Sequence, residues 1–465
     1  MLTHAEVSYQ TKNELLQKLF NEATKKSCGN IVDFAGSKVL VEGAGYEKIW
    51  LETQPMGGEM YAKQNLEVGL NNQLMFMKYQ RPDGRIPGSI ALIDNVVTPQ
   101  FNKFQGFCFP EPALNMYYLA ELDNEYLYEL YDTLKRFDKY LWENRDSDED
   151  GCLESWCMYD TGEDNALRYG DAPFGWESEL PPTDSSVVPM ASIDVMSYSY
   201  SARATLTKIC AILNREDEQN EWMQKGGIVR SKIRSYLWDP DMCTCFDRDK
   251  NHKRINCLYH NTLRAMYWGS IDKDMASKFV TKHLLNEQEF WTPMPLPSVA
   301  VSDPLFRNEP TNNWSGQVEA LTYQRAIRAL ENYGYHELIP ILGNKLFGAI
   351  GEKCIFVQQY DPFTGIPSIN SVSGGSDGYG PAMLSVLEYI ARMYGVHREG
   401  NTLYWGCRQL NEGVYIQRFD EREYKVENLG NNVVCYINER KVFETKQNVI
   451  IATSLDGKVV KAYDC

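Results

Sequence analysis

The stretch "DTGEDNALRY", Asp160 to Tyr169, sets Glu163 and Asp164 side by side in a run without helical or strand periodicity, with Arg168 close behind. Three kinds of chemistry fit such a run: a solvated acidic loop, a site for a cation, or a carboxylic acid held ready to give up a proton. A general acid must keep its proton near neutral pH, which burial beside another carboxylate and aromatic walls can arrange. Asp164 has Glu163 beside it and Tyr159, Tyr169 and Trp176 nearby in the chain. The same long segment opens with "RDSDEDGCLESW". Its acidic start lacks the ligand spacing of an EF-hand and reads as a solvated turn.

Composition narrows the choice. The chain has 465 residues, 43% hydrophobic and 24% charged, which is an ordinary globular balance with ample core. Its net charge is −16, with no basic run to offset it, so nucleic acid is not an expected partner. The N-terminal residues lack a signal-peptide pattern and no apolar run reaches membrane-spanning length, so the expected location is the cytoplasm. The twelve cysteines are scattered and read as free thiols. Cys243 and Cys245 lack a second ligand pair, and six histidines without His-x-x-His spacing make a catalytic metal unexpected. No cofactor is implied. The 29 Tyr, 10 Trp and 18 Phe could stack on sugar rings, although core packing accounts for most such residues.

The elements that must position these groups are mostly helical. Leu127, Leu130, Leu134, Phe137 and Leu141 recur at helical spacing, as do Tyr198, Ala202, Leu206, Ile209 and Leu213, and Met383, Leu387, Ile390 and Tyr394. About eleven or twelve such segments precede residue 396. Short turns alternate with long Gly-, Pro- and Asp-rich segments at 80–110, 144–190, 291–313 and 360–381. Long loops in a compact domain are usually functional. Helical hairpins with long loops at one mouth predict a mainly α fold, an α/α toroid over residues 1–398, with a helical solenoid as the alternative. Residues 399–465 are short, β-branched and punctuated by Gly, Asn and Asp, and predict a small antiparallel β unit.

The motifs also carry a resemblance. "DTGEDNALRY" is similar to the "ESGxDNSPRW" segment of glycoside hydrolase family 63, which is related to the family 37 trehalases. "YQRPDGRIPGSI" (79–90), "LKRFDKYLWENRDSDEDG" (134–151), "IDVMSYSYSARA" (193–204), "LWDPDMCTCFDRD" (237–249) and "FVQQYDPFTG" (356–365) resemble further segments of that family, in the same order. The resemblance implies a six-hairpin (α/α)6 toroid and an inverting glycosidase acting on a small α-linked oligosaccharide or glycoside. Inversion needs one carboxylic acid to protonate the leaving oxygen and a second carboxylate to activate water on the opposite face. It gives Asp164 the acid role, lets Arg168 orient sugar hydroxyls and lets Asp194 support the site. Tyr169, Trp176 and Tyr360 are expected to border the sugar.

Three departures matter. The family's base falls on Gln358, and a carboxamide cannot take a proton from water at useful pH. The chain is then an engineered Glu-to-Gln variant, a natural divergent whose base is Glu319, Asp361 or Glu309, or a sugar-binding protein without hydrolysis. The family's "WRGPxW" becomes "WSGQVE", which keeps Trp314 and introduces Glu319. Its entrance motif "WDS" is matched to "GGEMY", with Glu59 in place of Asp. An α/α-toroid epimerase or isomerase is the remaining alternative, disfavoured by the few histidines. Linkage, sugar and oligomeric state are not legible.

Overall fold

The computed structural model describes residues 1–311, 314–369 and 373–464. Twelve α-helices appear among them: α1 (Glu14–Cys28), α2 (Gln54–Tyr61), α3 (Leu66–Lys78), α4 (Pro110–Leu119), α5 (Asn124–Asn144), α6 (Ile193–Ile212), α7 (Glu216–Lys232), α8 (Asn261–Trp268), α9 (Lys273–Phe279), α10 (Ala320–Tyr333), α11 (Leu338–Ile350) and α12 (Gly380–Tyr394). Side-chain caps start several of them. Asn13 accepts from the Leu16 amide at 3.0 Å, Asn65 from Val68 at 3.1 Å and Ser192 from Val195 at 3.4 Å.

The even-numbered helices pack in sequence, α2 on α4, α4 on α6, α6 on α8, α8 on α10 and α10 on α12, and α12 returns to α2. Odd-numbered helices pack outside, with α5 and α7 on α6 and α1 and α11 on α12. Burial follows this order. α5 buries one stripe, including Leu127, Leu130, Leu134, Phe137 and Leu141, whereas α2 and α6 are buried nearly all round. No described helix is long and apolar enough to cross a membrane. The eleven cysteines among the described residues are unbridged.

Two antiparallel sheets complete the chain. One runs Ala5–Thr11, Gly413–Phe419, Arg422–Asn428, Val433–Ile437 and Arg440–Thr445 in spatial order. The other runs Val396–Glu399, Thr402–Cys407, Val449–Ser454 and Val459–Asp464. Trp405 from the second sheet meets Tyr424 from the first with ring centroids 6.1 Å apart, so the sheets share a core. The first strand comes from the opposite end of the sequence, with Ala5 opposite Phe419 and Thr11 opposite Gly413. No local pattern signals a pairing partner so distant in the chain.

Candidate active site

The functional groups sit in the segments that precede the even-numbered helices. Glu42, Tyr46 and Glu52 precede α2, Lys103 and Gln105 precede α4, and Asp160 to Tyr169 precede α6. His260 immediately precedes α8, Trp314 to Glu319 precede α10, and Gln358 and Tyr379 precede α12. Helix N-termini carry partial positive charge, which favours carboxylates there. Asp194 in the first turn of α6 and Glu319 at the N-cap of α10 use that preference.

The acid loop is fixed by buried charge. The Asp160 carboxylate bonds Arg145 Nη1 at 2.6 Å and accepts the amides of Phe104 and Trp156 at 3.0 and 2.9 Å. Burial pushes its pKa up, but Arg145 and these donors hold it below the ordinary value. Glu163 is fully buried and bonds Arg168 and His260 Nε2, the latter at 2.7 Å, with Arg264 Nη1 at 3.5 Å. Despite burial, Arg168 and Arg264 hold it well below the usual carboxylate range. Arg168 also bonds Asp247 and lies 3.3 Å from Asp194, which accepts from Arg264 Nε at 2.7 Å. Arg168 therefore braces the loop through carboxylates of its own chain.

Asp164 is the exception in this loop. No arginine bonds its carboxyl, and its Oδ1 has no hydrogen-bond partner. Burial, with the charge of Glu52 added, raises its pKa to about 7, while Gln105 and Lys103 pull the other way. It thus holds a proton near neutrality. Glu52 approaches because Gly162, at φ +74°, leaves room; a Cβ there would lie 2.4 Å from a Glu52 carboxylate oxygen.

Two more carboxylates close the group. Glu42 accepts from the Tyr379 hydroxyl at 3.0 Å. Burial, then the charges of Glu52 and Asp164, raise it well above the usual range. Glu319 lies opposite Gln359 in a two-residue antiparallel ladder with Val318 opposite Tyr360. Gln359 Nε2 donates to its Oε1 at 2.8 Å, and among the described residues its Oε2 has no partner. Burial raises Glu319 as well, with Glu52 and Asp164 adding to it and hydrogen bonding by Gln359 and Gln358 opposing it. Gln358 accepts from the Tyr46 hydroxyl at 3.1 Å, and Gly374, at φ +82°, packs against it. Burial, with the charges of Glu42, Asp164 and Glu319 added, pushes the Tyr46 phenol up.

Tyr46, Trp50, Tyr159 and Asp164 are half-buried, the partly exposed members of the group. Lys48 and Lys103 sit over the Trp50 ring, 5.2 and 5.5 Å from its centroid, at the rim. Burial and Lys48 lower the Lys103 pKa to about 8. A separate open groove of about 700 Å³, lined by Trp291, Phe306 and Phe363 among others, holds none of these carboxylates.

The structure brings together Asp164, Gln358 and Glu319, with Arg168, Asp194 and Tyr169 behind the acid loop. Tyr169 is a buried wall whose hydroxyl meets Ser155 and Thr161. Trp314 is buried with its ring 5.9 Å from His260. Trp176 is half-buried on the loop edge, its indole donating to the Leu180 carbonyl. Tyr360 is fully buried, opposite Val318. Glu59 departs from expectation: it bonds Asn115 and Arg328 in a different cluster with Lys63 and Glu388 nearby. Glu52, two residues after Trp50, occupies the pocket instead. Asp361 caps a turn, accepting from Phe363 and Thr364, and Glu309 is exposed. Sequence reasoning missed Glu42, Glu52, Tyr46, Lys103 and Tyr379. The spacing Trp50-x-Glu52 could have revealed Glu52; nothing local marks Glu42.

Among the described residues, one group could hold a cation by geometry. Asp148, Asp150 and His252 bring ligand atoms within 4.8 Å of one another at the surface. Lys232 stands 3.6 Å from Asp150 and already balances charge there.

A buried carboxyl that keeps its proton near neutrality, as Asp164 does, has the chemistry of a general acid. The sequence model of the mannosylglycerate hydrolase MGH1-like glycoside hydrolase domain matches residues 54–380, which is most of the chain. The chain belongs to this glycoside hydrolase family. The fold is shared with solved relatives at low identity. The mannosylglycerate hydrolase of Thermus thermophilus, solved with Tris, has 19% identity and a TM-score of 0.64 over 80% of this chain and 100% of its own. The neutral trehalase Nth1 of Saccharomyces cerevisiae has 15% identity and a TM-score of 0.56 over 76% and 73%. The α-L-rhamnosidase of Dictyoglumus thermophilum has 12% identity and a TM-score of 0.57 over 99% and 49%. No curated protein sequence matches the chain. The resemblance to families 63 and 37 drawn from the motifs agrees with these relatives.

Proposed function

We propose that this chain is an inverting hydrolase of a small α-linked glycoside, built on a six-hairpin (α/α)6 toroid with Asp164 as general acid. The observation that carries this reading is the environment of Asp164: a carboxyl without an arginine partner, its pKa raised to about 7 by burial and the nearby charge of Glu52, with Glu319 close enough to feel its charge. Gln358 occupies the family's base position and cannot take a proton from water. Glu319, across the ladder from the adjoining Gln359, is the carboxylate we assign to that task. In this account Asp164 protonates the glycosidic oxygen as its bond to the anomeric carbon breaks. Water attacks from the opposite face and gives its proton to Glu319. Arg168 and Asp194 hold the acid loop, and Trp50 and Tyr46 border the sugar.

The test is hydrolysis of a panel of α-glycosides, mannosylglycerate among them because a solved relative is named for it. Proton NMR would follow the anomer first released. Inversion, lost in Asp164→Asn and Glu319→Gln, supports the assignment. Retention, or full activity in Glu319→Gln, refutes it. Binding without turnover by both this chain and Gln358→Glu favours a sugar-binding protein instead.

A further inference from the structure

The turn that follows Asp164 is secured from outside its own loop. Asn165 adopts φ +62°, a left-handed conformation that a non-glycine residue keeps only where its surroundings hold it. Two residues on, the Leu167 amide donates to the Ser315 hydroxyl at 2.9 Å. The same hydroxyl donates to the Asn165 carbonyl at 3.2 Å. Beside it, the Trp314 amide approaches the Asp164 carbonyl at 3.4 Å. Residues 164, 165 and 167 are therefore each held by a pair of residues roughly 150 positions further along the chain. Ser315 is 0% exposed, so losing its hydroxyl leaves the Leu167 amide without a ready replacement.

That pair is itself anchored to other elements. The Tyr259 hydroxyl donates to the Trp314 carbonyl, and the Gly316 amide donates to Ser298 Oγ at 2.9 Å. The Ser315 carbonyl accepts the Arg307 amide at 2.6 Å. Packing at Gly316 is tight: a Cβ there would lie 1.8 Å from the Arg307 carbonyl oxygen. Three residues later the segment reaches Glu319, whose own place is set by the ladder to Gln359. The short stretch Trp314–Glu319 thus grips the acid's turn at one end and carries the assigned base at the other.

We infer that Ser315 is a positioning residue for the proposed hydrolysis, fixing Asp164 relative to Glu319 by gripping the turn behind the acid. The inference rests on the assignment of those two carboxyls and adds the means by which their separation is kept. Inversion needs about 6.5–9.5 Å between acid and base. A misplacement of about 1 Å costs about 10²-fold in rate. A hydroxyl suits the task because it donates and accepts at once. Alanine does neither, and threonine does both.

Ser315→Ala and Ser315→Thr test this in the intact chain, with methyl α-glycosides and α-glycosyl fluorides of glucose and mannose as probes. Fluoride leaves with little help from an acid, and methoxide does not. Ser315→Ala should lower kcat on the methyl glycosides about 10- to 100-fold, with KM within about 2-fold of the parent. The fluorides should lose at least about 10-fold less, and Ser315→Thr should recover most of the loss. A purely structural role gives parallel losses on both probe types, tracking the drop in melting temperature, and that result overturns the inference. A second readout needs no turnover. NMR of a carboxyl-labelled chain follows the Asp164 titration, which burial and Glu52 raise to about 7. The substitution alters none of Glu52, Gln105 and Lys103, so release of the turn to solvent should move that titration down toward the ordinary carboxylate value. An unchanged titration in a folded Ser315→Ala overturns the inference even where no glycoside is hydrolysed. A downward shift without hydrolysis by the parent leaves Ser315 in control of Asp164 and sinks the hydrolase reading instead.

Discussion

Gln359 and Glu319 stand directly opposite one another across a two-residue ladder, and the amide of one donates to the carboxylate of the other at 2.8 Å. The side chain of Gln358, next in the chain, also lies close enough to hydrogen-bond the Glu319 carboxyl. Restoring a carboxylate there by Gln358→Glu would place two acids in one poorly solvated space. The new group's folded pKa would be raised, so its penalty is absent at pH below the unfolded value of about 4.3 and grows as pH rises. Differential scanning calorimetry should show Gln358→Glu melting below the parent, with a wider gap at alkaline than at acidic pH. A loss of about 1–3 kcal/mol is expected for a buried charge without a new donor.

Asp164 must be protonated to act as an acid, and its pKa is raised to about 7 by burial and by Glu52. The rate constant kcat/KM should accordingly fall on the alkaline side as pH passes that value. Asp164→Asn should lower kcat by about 10²–10⁴-fold on substrates with poor leaving groups. Glycosyl fluorides, which need little protonation, should be spared most of that loss. An unchanged alkaline limb in a Glu52→Gln variant would show that Glu52 does not tune the acid.

The Asp160–Arg145 pair holds the loop that presents Asp164. Asp160→Ala leaves Arg145 buried without its partner and should cost about 3–5 kcal/mol, read by urea denaturation. The sign with pH follows from the depressed pKa of Asp160. Its contribution is fully present above the unfolded value of about 3.9 and is lost as pH falls through the folded value. The gap between parent and variant should therefore shrink only in acid.

Gly162 adopts φ +74°, and a Cβ there would meet the Glu52 carboxylate at 2.4 Å. Gly162→Ala should lose about 1–3 kcal/mol from backbone strain alone. Activity should fall further than stability explains, because the displaced groups are Glu52 and the acid loop. A variant with normal kcat and normal melting would remove Gly162 from the account.

Much of this architecture was legible in the sequence. The apolar stripes of α5, α6 and α12 were visible because each helix packs a continuous face on the layer beside it. Asp164, Arg168, Asp194 and Glu319 were found because short motifs hold them in fixed spacing. Glu59 misled for a physical reason. α2 is buried nearly all round, so no polar face marks which acid points where; Glu59 lies more than one turn inside α2, whereas Glu52 precedes its first residue. Glu42 and Tyr379 meet across more than three hundred residues, a juxtaposition made by ring closure rather than by any local pattern.

The strand Ala5–Thr11 has an implication for how the molecule is assembled. Synthesised long before its partner, it must wait for Gly413–Phe419 before its ladder can form, and α1 and α2 must likewise wait for α12. Loop closure of that length is slow and leaves an unpaired edge exposed meanwhile. Chaperone dependence during synthesis, and sensitivity to truncation ahead of Gly413–Phe419, are the expected costs. The glutamate at position 42 reaches its tyrosine only once the two ends of the helical series have met, so the buried hydrogen bond between them forms late in assembly.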